Sequence, residues 1–207
     1  RWRAPLGGGY SGPAVAQGRV FVMDRIAELI DPAKAKVLHE GQPPRNENFL
    51  RKLLPGQERL QCLDESTGRV LWTQQWDCPY TTVATYAIGP RTTPTVDGDR
   101  VYALGAEGHL FCFATKDGTI VWQKDFKKAY NLKIPEWGTA AHPLVDGDRL
   151  ICVVGGAGTT CVAFDKRTGK ELWRALTGRQ PGYCPPVIHT FGGLRQLIIW
   201  HSDAVEA

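Results

Sequence analysis

The chain has 207 residues, 43% apolar and 22% charged, with 25 Lys and Arg against 21 Asp and Glu for a net charge of +4. That apolar share supports a packed core and excludes wholesale disorder. No apolar run approaches the roughly 20 residues of a membrane span. The positive charge is spread along the chain, so no nucleic-acid surface is expected.

In chain order, the first start is a weak one, Pro13-Ala14-Val15-Ala16-Gln17-Gly18-Arg19-Val20-Phe21. It leads to the line Cys62-Leu63-Asp64-Glu65-Ser66-Thr67-Gly68-Arg69-Val70-Leu71-Trp72. A clearer start, Pro94 to Tyr102, precedes Cys112-Phe113-Ala114-Thr115-Lys116-Asp117-Gly118-Thr119-Ile120-Val121-Trp122. Pro143 to Ile151 then precedes Ala163-Phe164-Asp165-Lys166-Arg167-Thr168-Gly169-Lys170-Glu171-Leu172-Trp173, and Pro186-Val187-Ile188 opens a fourth unit. The three tryptophans recur at spacings of 50 and 51 residues. Each unit reads as four short antiparallel strands separated by Asp-Gly or Gly-containing turns. Both parities of each strand carry bulk, as in sheets covered on both faces. Four strands repeated every 45–50 residues predict an all-β chain, a β-propeller of four-stranded antiparallel blades.

The predicted blades are about 13–76, 94–126 and 143–177, with a partial fourth from about 186. That is about three and a half blades of a ring expected to have seven or eight, in one partial domain. The chain opens without an initiator Met or a leader pattern, so either a leader has been removed or it is cut from something longer. The last unit stops at Ala207 after its second predicted strand, an unclosed ring with unpaired strand edges, and the chain therefore reads as a fragment. The remaining blades would come from the rest of the same chain or from a second copy.

Pro13 to Trp72 spans 59 positions, against 28 for Pro94 to Trp122 and 30 for Pro143 to Trp173. The first blade therefore carries an insertion of about residues 24–57 between its second and third strands. Ile26, Leu29 and Ile30 have helical spacing, with Asp31-Pro32 as a stop and Pro43-Pro44 as a loop. In a propeller the loops between second and third strands share a face with the loops between blades. The insertion should overhang the inter-blade loops 73–91, 123–141 and 174–184, as cover over a binding face or as a spacer.

Trp72, Trp122 and Trp173 share one repeat position, so packing between blades is the expected role. Burying one removes about 200 Å² from water, worth at most ~5 kcal/mol. Trp2, Trp76, Trp137 and Trp200 lie outside this pattern. Cys62, Cys112 and Cys161 read as small buried residues. Cys78 and Cys184 both precede proline in inter-blade loops, where a disulfide between them is conceivable. The five histidines are scattered, no pair of cysteines has metal-site spacing, and no catalytic or metal-ligating residue is assigned. Gly155-Gly156-Ala157-Gly158 falls between strands and reads as a wide turn. Residues just ahead of the repeat prolines should gather near the axis on the loop face. Tyr10, Arg91, His142 and Tyr183, with Trp137, form the candidate binding face, suited to a protein partner or a small polar or anionic ligand.

The pattern small-x-Asp-x-x-Thr-Gly-x-x-x-Trp resembles the tryptophan-docking motif of the pyrroloquinoline-quinone (PQQ)-like repeat. Quinoprotein alcohol dehydrogenases and non-enzymatic BamB-like propellers both carry it. The resemblance assigns structural docking to Trp72, Trp122, Trp173, Gly68, Gly118, Gly169, Asp64 and Asp165. The middle copy departs with Ala114, and Cys62 and Cys112 replace the usual Ala. The resemblance implies a non-catalytic binding or scaffold protein of the cell envelope, periplasmic or otherwise extracytoplasmic, without a cofactor. The alternative it implies is a quinoprotein dehydrogenase using PQQ and Ca²⁺, with its site elsewhere in a longer protein. In that family a vicinal Cys-Cys pair holds the quinone, and this chain has no adjacent cysteines. A third reading is a sensory or interaction domain appended to a larger protein such as a membrane kinase.

Overall fold

The computed structural model describes residues 1–28, 31, 34–39 and 41–207. Three four-stranded antiparallel sheets and one three-stranded sheet follow one another along the chain, each with its strands in sequence order. The first blade is β1 (Ala14–Ala16), β2 (Arg19–Ala27), β3 (Gly56–Asp64) and β4 (Val70–Asp77). The second is β5 (Thr95–Asp97), β6 (Arg100–Leu104), β7 (His109–Ala114) and β8 (Ile120–Asp125). The third is β9 (Leu144–Asp146), β10 (Arg149–Val153), β11 (Cys161–Asp165) and β12 (Glu171–Ala175). The fourth sheet holds β13 (Val187–Phe191), β14 (Leu194–Trp200) and β15 (Val205–Glu206). This is the all-β, blade-by-blade architecture that the repeats predict. First strands of neighbouring blades approach one another, β1 against β5 and β5 against β9, so they form the inner wall.

The central strands β6, β7, β10 and β11 are almost wholly buried, because their two faces pack on two neighbouring blades. The fourth strand of each complete blade shifts register once, at Cys62/Leu63, Cys112/Phe113 and Ala163/Phe164. That bulge sits beside the tryptophan, which pairs across the ladder with Cys62, Cys112 or Ala163. A small partner leaves room for the indole to lie over toward the next blade.

There it meets a glycine. A Cβ built on Gly118 would fall 2.6 Å from the Trp72 ring, and one on Gly169 would fall 2.7 Å from the Trp122 ring. Both glycines have positive φ, +76° and +69°, so a side chain there would be strained as well as crowded. Each indole N–H also donates into the same turn, Trp72 Nε1 to the Thr115 carbonyl at 3.0 Å and Trp122 Nε1 to that of Lys166 at 3.1 Å. Trp2 behaves alike, contrary to the expectation that it lies outside the pattern. Its N–H donates to the Glu65 carbonyl at 2.8 Å, and its ring covers Gly68.

Asp64 holds its turn by accepting from the backbone N–H and hydroxyl of Ser66 and of Thr67. Those donors lower its pKa to about 2. Asp165 does the same with Arg167 and Thr168. Ala114 has no carboxylate, yet the backbone turn persists through Gly118 N–H to Ala114 O at 2.9 Å.

One expectation needs correcting. Ile26 lies in β2, which pairs with β3 out to Ala27 opposite Gly56, so the stretch expected as helical begins as strand. Leu29, Ile30 and Pro32 fall outside the described residues. The stretch joining the two strands is therefore 28–55, not 24–57. Cys78 and Cys184 are both free. Cys78 is buried with its Sγ 3.7 Å from His109 Nδ1, while the Cys184 thiol faces the Pro185 carbonyl.

Candidate functional site

Residues 49–54 of the insertion lie over the loops between blades. Arg51 Nε donates to the Thr81 carbonyl at 2.7 Å and its Nη2 to that of Ile134 at 3.1 Å. Leu54 and Tyr80 exchange backbone hydrogen bonds of 2.9 and 2.8 Å, and Ala84 N–H donates to Leu50 O. This places Phe49, in a short 3-10 turn, against Trp137 with ring centroids 5.9 Å apart. Tyr86 meets the same indole edge-on at 4.9 Å.

Arg91 ties the cluster together. Its Nε donates to the Trp137 carbonyl at 2.7 Å and its Nη2 to that of Tyr86 at 2.9 Å. Its guanidinium lies over the Tyr10 ring, 4.4 Å from the centroid. The Trp137 backbone N–H donates to the Tyr183 hydroxyl at 3.4 Å. Burial raises the pKa of that phenol, so it stays protonated. Tyr10, Arg91, Trp137 and Tyr183 are thus brought together from four separate stretches. Phe49 and Tyr86 belong with them and were missed, because a lone loop aromatic carries no periodic signal. Tyr10, Phe49, Tyr86 and Tyr183 remain between 37% and 45% exposed, an aromatic surface rather than a core. His142 is not among these contacts; it lies half-buried ahead of β9, and burial lowers its pKa, leaving it neutral.

Beneath the insertion lies a buried ionic cluster. Glu58, fully buried on β3, accepts from the Tyr80 hydroxyl at 2.6 Å and the Ala106 N–H at 2.9 Å. Its Oε2 has no N–H or O–H donor among the described residues, and burial raises its pKa. Arg25 stacks on the Tyr80 ring at 4.1 Å and donates to the Leu54, Pro55 and Ala87 carbonyls. Glu107 accepts from Lys127 at 2.9 Å and from Thr81. Burial pushes the Cys78 thiol up and the His109 imidazole down, so the pair is neutral and not a thiolate nucleophile. The bonds from Ala106 N–H to Glu58 and from Thr81 N–H to Glu107 join the base of the insertion to blade two.

The profile of the outer membrane protein assembly factor BamB matches residues 56–192, from β3 of blade one through blades two and three to β13. The chain belongs to this family. Among curated proteins, a polyvinylalcohol dehydrogenase from a Pseudomonas species is 27% identical over 93 residues, 42% of this chain and 13% of that protein. Similar solved structures include the quinohemoprotein alcohol dehydrogenase ADHIIG from Pseudomonas putida HK5 (19% identical, TM-score 0.49, 84% of this chain and 21% of that one). BamB from Moraxella catarrhalis is another (17% identical, TM-score 0.39, 79% and 47%). The chain thus spans a small part of the dehydrogenases it matches and about half of that BamB.

No two of the six cysteines are adjacent, and no cluster of three or more His, Cys, Asp or Glu residues able to hold a metal occurs among the described residues. Among the described residues, no helix is long and apolar enough to cross a membrane.

Proposed function

We propose that this PQQ-like repeat propeller is a non-catalytic binding module of the cell envelope, taking a protein partner on the loop face. The observation that carries this is the arginine-pinned aromatic surface of Tyr10, Phe49, Tyr86, Trp137 and Tyr183. Exposed aromatics around a held arginine are the composition of interaction hot spots. The insertion supplies one of those aromatics and is fastened by buried polar contacts, so the surface is formed before a partner arrives. Arg91 spends Nε and Nη2 on backbone carbonyls, which leaves Nη1 to meet a carbonyl or carboxylate of an extended segment. Membership of the BamB family supports a partner in outer-membrane assembly and a position outside the cytoplasm.

The test is a photo-crosslinking residue at Tyr86 in protein exported to the periplasm of a Gram-negative host, with Val15 on β1 as the control position. A discrete crosslinked protein at position 86 is expected, absent at position 15 and reduced about tenfold or more by Arg91→Ala. Equal crosslinking at both positions, or no effect of Arg91→Ala, would overturn the placement. The curated match to a dehydrogenase favours a second reading, an alcohol-oxidising quinoprotein that uses residues beyond this chain. Dye reduction by the full protein with polyvinyl alcohol, PQQ and Ca²⁺ would establish it; no turnover is expected.

A further inference from the structure

The glycine turn between β10 and β11 borders a feature that the aromatic surface does not use. A cavity of about 560 Å³ opens between this turn, the segment after β8 and the segment after β12. Gly156 and Ala157 line one side, Lys128 and Lys133 another, and Arg174 and Arg179 a third. Four cations face the space, and no carboxylate lines it. Such a set does not follow from the modest net charge of the chain; two separate segments each contribute two.

The acids that accompany these cations stand outside. Asp125 lies 3.2 Å from Lys128, Glu171 lies 2.7 Å from Arg174, and Asp203 lies 2.8 Å from Arg179. Both side-chain contacts use Nε, and no hydrogen bond from the terminal Nη groups of either fork occurs among the described residues, with the Arg174 guanidinium 6.0 Å from the Tyr130 ring centroid. Lys133 is exposed and has no ion pair among them. The Tyr130 hydroxyl is turned away, donating to Glu171 at 2.7 Å. Exposed pairs of this kind are weak, roughly 0–1 kcal/mol, and do not hold the cations against a competing anion. Gly156, at φ of +98°, brings backbone rather than a side chain to this side of the cavity, beside Ala157 and Thr159.

We propose that this cavity binds a small multivalent oxyanion, a ligand carrying two or more phosphate or carboxylate groups. Its volume suits a small ligand. Two guanidinium forks offer bidentate hydrogen bonds to planar or tetrahedral oxyanions, and two ammonium groups add point charge. The site lies on the loop face but shares no residue with the aromatic cluster, so it stands or falls independently of the partner reading.

Calorimetric titration with inorganic pyrophosphate and with citrate, at low ionic strength, tests it. Saturable one-to-one binding of at least one is expected, weakening as salt rises. Lys133→Gln combined with Arg174→Gln should weaken it about tenfold or more, while Lys116→Gln combined with Lys170→Gln, in the turns of other strands, should leave it unchanged. Lys133→Gln alone, at an exposed residue, gives a smaller loss in the same direction and guards against misfolding of the pair. Preference for pyrophosphate assigns a phosphoryl ligand and preference for citrate a carboxylate one. Failure of both to saturate, or equal weakening by the control pair, overturns the site.

Discussion

The seam between blades two and three and the seam between blades one and two are built from the same repeat, yet they are held differently. The first has a large apolar core, with polar contacts beside it such as Lys166 to Asp97 at 2.7 Å and Tyr130 to Glu171 at 2.7 Å. Tyr102, Leu104, Leu110, Trp122 and Phe126 of blade two close on Leu150, Val162 and Phe164 of blade three. The second has an apolar inner half, where Phe21, Met23 and Leu60 meet Val101, Phe111 and Phe113. Its loop-face half is ionic: Glu58, Arg25, Glu107 and Lys127, with Tyr80 and Cys78 among them. The difference follows from the lengthened β2–β3 hairpin. Strands that run past the edge of the blade need backbone and side-chain partners there, and a surface of polar loops can supply only hydrogen bonds and charge. The comparison shows how a repeat accepts a functional insertion: the shared joint is left alone, and the added segment is secured by its own polar contacts.

The largest effect should come from the apolar seam. Trp122→Ala is expected to cost about 3–5 kcal/mol in urea unfolding, and Trp72→Ala less, because Trp72 is only half-buried. Gly169→Ala should cost on the order of 1–3 kcal/mol from strain at positive φ. Combined with Trp122→Ala it should add less than its separate value, since both break one contact. Equal losses at Trp72 and Trp122 would erase the distinction between the seams.

A middle-sized effect should come from the ionic seam, and it depends on pH. The folded state raises the pKa of Glu58, so the fold favours its protonated form. Stability from this group is therefore greatest below the ordinary carboxyl value of 4.5 and falls as pH rises above it. Glu58→Gln keeps an acceptor for Tyr80 and Ala106 without the charge. Its melting temperature should exceed that of the parent by roughly 2–4 °C at pH 8, with the gap closing toward pH 4. A constant gap would mean that packing, not protonation, sets the difference.

The smallest effect should come from the turns. Ala114→Asp restores the carboxylate that Asp64 and Asp165 use, and should stabilise by about 0.5 kcal/mol. The neighbouring Asp117, which already accepts from Thr119 N–H at 3.0 Å, limits the gain. No gain in chemical denaturation would mean that the backbone turn is already complete.

Strands and turns were legible because three copies aligned, and the indole-to-glycine contact was legible in kind, since a large residue repeated at one position has to pack on something repeated. The extension of β2 was hidden because Asp24 and Arg25 are charged yet buried. Asp24 accepts from Arg59, Gln61 and the Gly7 N–H, and no hydropathy pattern announces such a partnership. Trp2 was hidden because the line that would mark it is represented by the indole alone. At the loop face, the proximity of Tyr10, Arg91, Trp137 and Tyr183 follows from their positions ahead of the strands or within an inter-blade loop. Phe49 and Tyr86 reach the same place through loop geometry, which depends on long-range contacts such as Arg51 to Ile134.

The indole and the turn it rests on belong to different blades, so each complete blade carries one half of a joint at either end. A duplicated blade spliced between two others would arrive with both halves, its tryptophan ready for the following turn and its turn ready for the preceding tryptophan. Rings of this kind can thus lengthen or shorten in evolution by whole units without compensating changes elsewhere, while novelty gathers in hairpins such as the one that carries Phe49.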